Sequence, residues 1–191
     1  ENGIHHFQGS IKDKLDRWLT ASIFFDIDYI VTADGDDLFC DPLLIDLAFK
    51  QFDNTDPDFI KCDGIVCGAF TYGIKIDALK KVCEIKNTDD TEMMWHYFTD
   101  TGLFNIEELK GVSSKYYRDD IRMTLDYEED LKFFKEVIKQ CKNSNEFLSL
   151  DEIIDICDNN PYIKEINYFR QSEFLKNQES KKDFRIKKFS C

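Results

Sequence analysis

Strands alternating with helices predict a layered α/β domain with a largely parallel sheet. Three observations carry that expectation. Short β-rich apolar runs recur between stretches whose apolar residues are spaced by three and four. Two of those runs end in acidic turns. The 191 residues, 42% hydrophobic with 17 Phe, 8 Tyr and 2 Trp, suffice for one sizeable core. That content excludes a mostly disordered chain, and 8 Gly with 3 Pro exclude collagen-like and linker-like classes.

Residues 11–25 predict a helix with Leu15, Trp18, Leu19, Ser22 and Ile23 on one stripe. Tyr29-Ile30-Val31-Thr32 follows as a buried strand and runs into Ala33-Asp34-Gly35-Asp36-Asp37. Asp41 and Pro42 open a second helix as N-cap and first helical residue, with Leu43, Leu44, Leu47 and Ala48 as its apolar face. Residues 59–62 and 65–76 alternate as strands, Asp77 opens a helix, and another begins near Thr91 with Glu92 in its first turn. Residues 121–125 predict a strand ending in Asp126. Residues 128–142 predict a helix turning Leu131, Phe134, Val137 and Ile138 inward. Ser149 and Glu152 form a capping box for the last helix, and Pro161 lies beyond its end.

The 38 acidic and 25 basic side chains leave a net charge of −13, which repels nucleic acid at long range. No apolar run approaches the roughly 20 residues that span a bilayer. Glu1 to Ser10 lack a charged-then-apolar signal pattern. Cys40, Cys62, Cys67, Cys83, Cys141, Cys157 and Cys191 show no Cys-x-x-Cys, and the three histidines do not cluster with them, so reduced thiols in a cytoplasmic protein are expected. Residues 162–191 hold eight Lys and Arg against four Asp and Glu, a net of +4, and predict a basic arm folding back on an acidic body, residues 1–161.

In parallel α/β sheets the carboxyl ends of strands carry the ligand site. Here two strand ends are acidic: Asp34, Asp36 and Asp37 on one, Asp126 on the other. Hard oxygen ligands of this kind suit Mg²⁺ or Mn²⁺, and Gly35 permits a tight turn between the acids. A divalent cation also reconciles so acidic a chain with a polyphosphate ligand.

Thr124-Leu125-Asp126-Tyr127-Glu128-Glu129-Asp130-Leu131 resembles the Thr-Val-Asp-Thr-Pro-Glu-Asp-Leu signature of sugar nucleotidylyltransferases that activate acidic sugars with CTP. Gly35-Asp36-Asp37-Leu38 with Asp41-Pro42 resembles the Gly-Asp-x-Pro segment of that family. Phe7, Gly9, Ser10, Asp13, Leu15 and Arg17 match its segment between nucleotide and sugar sites. Gly68, Gly73, Ala78-Leu79 and Ile166-Asn167 extend the likeness across nearly the whole chain, closest to the acylneuraminate and spore-coat-polysaccharide cytidylyltransferases. Leu38 and Tyr127 stand where prolines are usual. Nothing matches the family's opening strand and glycine-rich loop, so the resemblance implies an N-terminally incomplete domain with the triphosphate-gripping segment upstream or on another chain.

The resemblance implies a three-layer α/β/α sandwich with a mixed, mostly parallel sheet of the nucleotide-diphospho-sugar transferase type. It implies Mg²⁺-dependent transfer of CMP from CTP to an anomeric hydroxyl of an acidic sugar, with release of pyrophosphate. Asp36 and Asp126 would bind the metal with Asp34, and Asp37 would line the substrate site beside Gly9, Ser10, Arg17, Gly73 and Glu92. Arg122 has two readings, a catalytic contact to phosphate or sugar carboxylate and an ion pair within the protein. Arg17 divides in the same way between ligand and Asp13, and Glu92 between sugar and His96. A homodimer is expected, with Trp95-His96-Tyr97-Phe98 as its interface. Two further readings stay open: a metal-dependent glycosyltransferase of GT-A type using Asp34 and Asp36, and a binding module without catalysis.

Overall fold

The computed structural model describes residues 3–141, 148–181 and 185–187. Its elements are α1 (Lys14–Phe24), β1 (Tyr29–Val31), α2 (Pro42–Thr55), β2 (Phe59–Lys61), β3 (Gly73–Lys75), α3 (Ile76–Ile85), α4 (His96–Thr99), β4 (Ile106–Glu108), α5 (Glu128–Gln140), α6 (Leu150–Asn159), α7 (Tyr162–Glu165) and α8 (Gln171–Ser180). Short 3₁₀ turns lie at Ser114–Tyr116 and Tyr168–Arg170.

The strands pair in the order β1-β3-β2-β4. β3 is antiparallel to β1 and β2, while β2 and β4 are parallel. β1, β2 and β4 therefore share one direction and β3 alone is reversed, giving the expected mixed sheet. Successive strand residues face opposite sides. Ile60 enters a core with Leu44, Phe52, Phe134 and Ile153, from the α2, α5 and α6 layer. Its neighbour Phe59 and Ile74 enter another with Leu15, Leu79, Val82 and Phe98, from the α1, α3 and α4 layer. Both faces of the sheet are covered, which makes the three-layer sandwich.

Asp41 caps α2 as expected: its Oδ1 accepts from the Leu43 N–H at 2.7 Å, and Oδ2 accepts from the Leu150 N–H at 2.9 Å at the start of α6. The Ser149–Glu152 capping box also forms. Several expectations fail locally. Residues 65–72 are loop, and only Gly73–Lys75 of that run is strand. Residues 121–125 are not a strand of the sheet and pair only through an isolated parallel bridge, Cys67–Arg122, to the 65–72 loop. The helix near Thr91 shrinks to α4, preceded by turns. In α5, Asp130, Phe133, Phe134 and Val137 are buried, while Leu131 and Ile138 are exposed. Residue 142 and Cys191 lie outside the described residues, as do parts of the basic arm. Among the described residues no helix is long and apolar enough to cross a membrane.

Of Trp95-His96-Tyr97-Phe98, expected at a dimer interface, Tyr97 and Phe98 are 1% and 0% exposed in the chain's own core and offer a second copy no surface, while Trp95 and His96 are half-buried. Phe98 stacks on Phe59 at 4.6 Å between ring centroids.

Candidate active site

β1 delivers the chain through Thr32 and Ala33 into the first acidic turn. The Thr32 N–H donates to the Tyr72 carbonyl at 2.8 Å, extending the β1–β3 pairing by one step. Two successive turns follow, with the Asp37 N–H on the Asp34 carbonyl at 3.0 Å and the Cys40 N–H on the Asp37 carbonyl at 3.1 Å. They bring one oxygen each of Asp34, Asp36 and Asp37 within 4.8 Å of one another.

The second acidic turn is laid against the first by backbone bonds. The Met123 N–H donates to the Cys67 carbonyl at 2.8 Å and the Leu125 N–H to the Asp36 carbonyl at 2.9 Å. Gly68 lies between them at φ +86°, where a Cβ would stand 2.2 Å from the Met123 carbonyl oxygen and 3.1 Å from Asp37 Oδ1. Asp126, about 90 residues beyond Asp36 in the chain, thus borders the same cleft of ≈ 580 Å³ as Asp34, Gly35, Asp36 and Asp37. The acids shape one another. Burial, then the Asp36 and Asp34 carboxylates, push the Asp37 carboxyl up to about 7, against a hydrogen bond with Thr124.

Arg122 is not at the cleft wall. Its side chain is fully buried, with Nε on Asp130 Oδ1 at 3.0 Å, Nη2 on Asp126 Oδ2 at 2.6 Å and Nη1 on Gln171 Oε1 at 3.1 Å. The Phe174 ring covers the guanidinium at 4.4 Å. With all three nitrogens engaged, the phosphate-contact reading gives way to the ion pair, and Arg122 becomes the residue that positions Asp126. Asp130 completes the anchor by accepting from the Asp126 and Tyr127 N–H groups, both at 2.9 Å, and from the Asn167 amide.

The other expected site residues divide. Arg17 lines the cleft, and its guanidinium donates to the Ser10 and Ile11 carbonyls at 2.7 and 3.3 Å, not to Asp13. Asp13 instead caps α1 and pairs with Lys86 and Thr91. Gly9 and Ser10 are not among the cleft-lining residues. They pack on Arg17, where a Cβ at Gly9 would meet Arg17 Cγ at 2.8 Å. Gly73 is a packing glycine in β3, opposite Val31, with the Phe52 ring 3.0 Å from where its Cβ would be. Glu92 lines the cleft but pairs with Lys181 at 2.9 Å, while His96 pairs with Asp100.

Sequence reasoning missed Lys14, whose Nζ lies 2.8 and 2.9 Å from the two Asp34 oxygens. Its signal was available, three residues before Arg17 on one helical face. Also missed were Thr71, Tyr72 and Trp95, and Phe174 and Gln178 of α8 with Lys181 at its C-cap. The α8 residues sit in the basic segment, which had been assigned no part in the cleft.

The residues present fit a hard divalent cation: carboxylate oxygens converge at one point, and the buried Thr71 hydroxyl on the same cleft has no protein partner. No protein-family model matches the chain. The uncharacterized protein MJ1063 of Methanocaldococcus jannaschii is 31% identical over 169 residues, covering 86% of this chain and 68% of that protein. Among solved structures, a cytidylyltransferase from Leptospira borgpetersenii matches with a TM-score of 0.73 at 22% identity, over 85% of this chain and 69% of its own. The structural likeness speaks for the fold and the sequence likeness for descent: this chain belongs to the family of the M. jannaschii protein, built on a fold it shares with a cytidylyltransferase.

Proposed function

We propose that the cleft transfers a nucleotide, CMP from CTP, to the anomeric hydroxyl of an acidic sugar and releases pyrophosphate, in surface-polysaccharide or glycan synthesis. The observation that carries this reading is the backbone bond from Leu125 to Asp36, which seats Asp126 beside the Asp34, Asp36 and Asp37 cluster. The likeness to a cytidylyltransferase fold supports it.

The reaction builds negative charge on the α-phosphate and on departing pyrophosphate, so the site must supply alignment and positive charge. Asp36 and Asp37, from a group of converging oxygens to which Asp126 does not belong, would hold Mg²⁺ or Mn²⁺, which supplies charge neutralisation and lowers the pKa of a bound hydroxyl. Arg17 and Lys181 give the cleft its own cations. Arg122 and Thr124 hold Asp126 Oδ2; Oδ1 would take the proton of the acceptor hydroxyl as its oxygen bonds to the α-phosphorus and the bond from that phosphorus to the departing pyrophosphate breaks. Trp95 and Tyr72 offer apolar ring faces to a sugar or base.

The test is pyrophosphate release from CTP, Mg²⁺ and a nine-carbon acidic sugar. Asp36→Asn should lower turnover by several orders of magnitude while leaving the melting temperature nearly unchanged, and Asp126→Asn should lower turnover as far but also lower the melting temperature, because Asp126 pairs with the buried Arg122. A parallel loss of folding in Asp36→Asn would make that acid structural. A second reading is favoured by Asp34 and Asp36 standing in one cluster, the pattern of a GT-A glycosyltransferase. Release of UDP from a sugar donor, with no pyrophosphate from CTP, would select it. Absence of heat on titrating CTP with Mg²⁺ would point instead to a binding module for another ligand.

A further inference from the structure

Lys14 lies in the first turn of α1, its Nζ across both oxygens of Asp34 and 5.1 Å from the centre of the Trp18 ring. The indole and the helix restrict where the ammonium can go, and the side chain is only 19% exposed. Three carboxylates within 4.8 Å carry a charge of −3 when ionised. The ammonium brings this to −2, the complement of a single divalent ion. Two-metal sites place their ions roughly 3.5–4 Å apart, each with its own oxygens. With Asp34 engaged by Lys14, the oxygens of Asp36 and Asp37 remain for one centre.

We propose that Lys14 is a tethered cation that withholds Asp34 from the metal, so that the Asp34–Asp36–Asp37 cluster takes one divalent ion, on Asp36 and Asp37, and not two. This rests on the metal-dependent reading of the cleft. Lys14 acts as a positioning residue: it fixes the charge and the ligand count of the site and touches the metal only through Asp34.

The test is a titration of the full chain with Mn²⁺ alone, free Mn²⁺ being read by electron paramagnetic resonance and folding by circular dichroism. The wild type should bind one ion per chain. Lys14→Met, which keeps the apolar stem on Trp18, should bind its first ion at least about tenfold more tightly, because it removes a competing cation and returns Asp34 to the ligand set. Lys14→Gln should do the same if the methionine disturbs packing. The double variant Lys14→Met/Asp34→Asn should return to within about threefold of the wild-type affinity, since deleting both partners leaves Asp36 and Asp37 as they were. Unchanged or weaker binding in both single variants would overturn the inference. So would two ions in the wild type, or a tenfold loss in the double variant; each of these leaves the metal reading intact. Binding by Lys14→Met with none by the wild type would overturn the inference that the native cluster takes one ion and would count against a metal-dependent reaction. No binding by any form would overturn the metal reading and the inference with it.

Discussion

At the scale of single residues, Gly68 shows how the site depends on an absent side chain. It stands at φ +86° between the Met123 carbonyl and the Asp37 carboxylate, so a methyl group would separate the two acidic turns and strain the backbone together. Gly68→Ala should therefore lower stability by at least about 2 kcal/mol in urea unfolding. Gly35→Ala, with nothing within 4 Å of its Cβ position and no positive φ, should cost less than about 1 kcal/mol in the same assay. The sequence points to Asp34, Asp36, Asp37 and Asp126 because acids after strands are visible as a string. It hides the role of Arg122, since burial and the aspartates four and eight residues ahead decide whether a guanidinium meets ligand or protein. Gly73 misleads for a related reason: a glycine kept for the Phe52 ring cannot be told from one kept for a ligand until the packing is known.

At the scale of elements, α5 is legible as a helix and misread in phase. Its buried stripe is Asp130, Phe133, Phe134 and Val137, the i, i+3, i+4, i+7 pattern with a carboxylate at its head. A search for apolar residues passes over Asp130 and substitutes Leu131 and Ile138, which are 40% and 56% exposed. The aspartate turns inward because Arg122 is waiting there, a tertiary partner that local pattern cannot supply. Phe133→Ala should accordingly destabilise by about 3–5 kcal/mol and Leu131→Ala by less than about 1 kcal/mol, read as denaturation midpoints at constant slope. Equal costs would restore the stripe expected from sequence. The shortness of the strands has the same origin. Residues 65–72 alternate as a strand would, yet they turn at Gly68 and meet the 121–125 segment through one isolated bridge, with the Met123 N–H on the Cys67 carbonyl, and not through a ladder.

At the scale of the molecule, the Arg122–Asp130 pair ties the second acidic turn, α5 and the segment carrying Asn167 and Gln171 into one unit. Burial alone would raise the Asp130 carboxyl; the Arg122 guanidinium, the Tyr127 and Asp126 N–H groups and the Asn167 amide outweigh it and hold it below the usual carboxylate value. A carboxyl depressed in the folded state contributes stability that is present above its unfolded pKa, near about 3.9, and is lost as pH falls through the folded value. Asp120, held down by Arg118 and Lys164 despite partial burial, adds to the same acid limb at a second place in the fold. Asp130→Asn should remove about 3–5 kcal/mol at pH 7 by leaving the buried Arg122 without its carboxylate. The gap between wild type and variant should then narrow as both are acidified below about pH 4, where the unfolded chain's Asp130 carboxyl takes up a proton that the folded one resists. Unfolding free energies measured in urea from pH 7 down to pH 2.5 test the sign directly. A gap that stays constant over that range would mean Asp130 stabilises by shape and hydrogen bonding without its charge, and the direct contacts of Arg122 and Thr124 with Asp126, together with the Leu125–Asp36 backbone bond, would then place Asp126 without help from that charge.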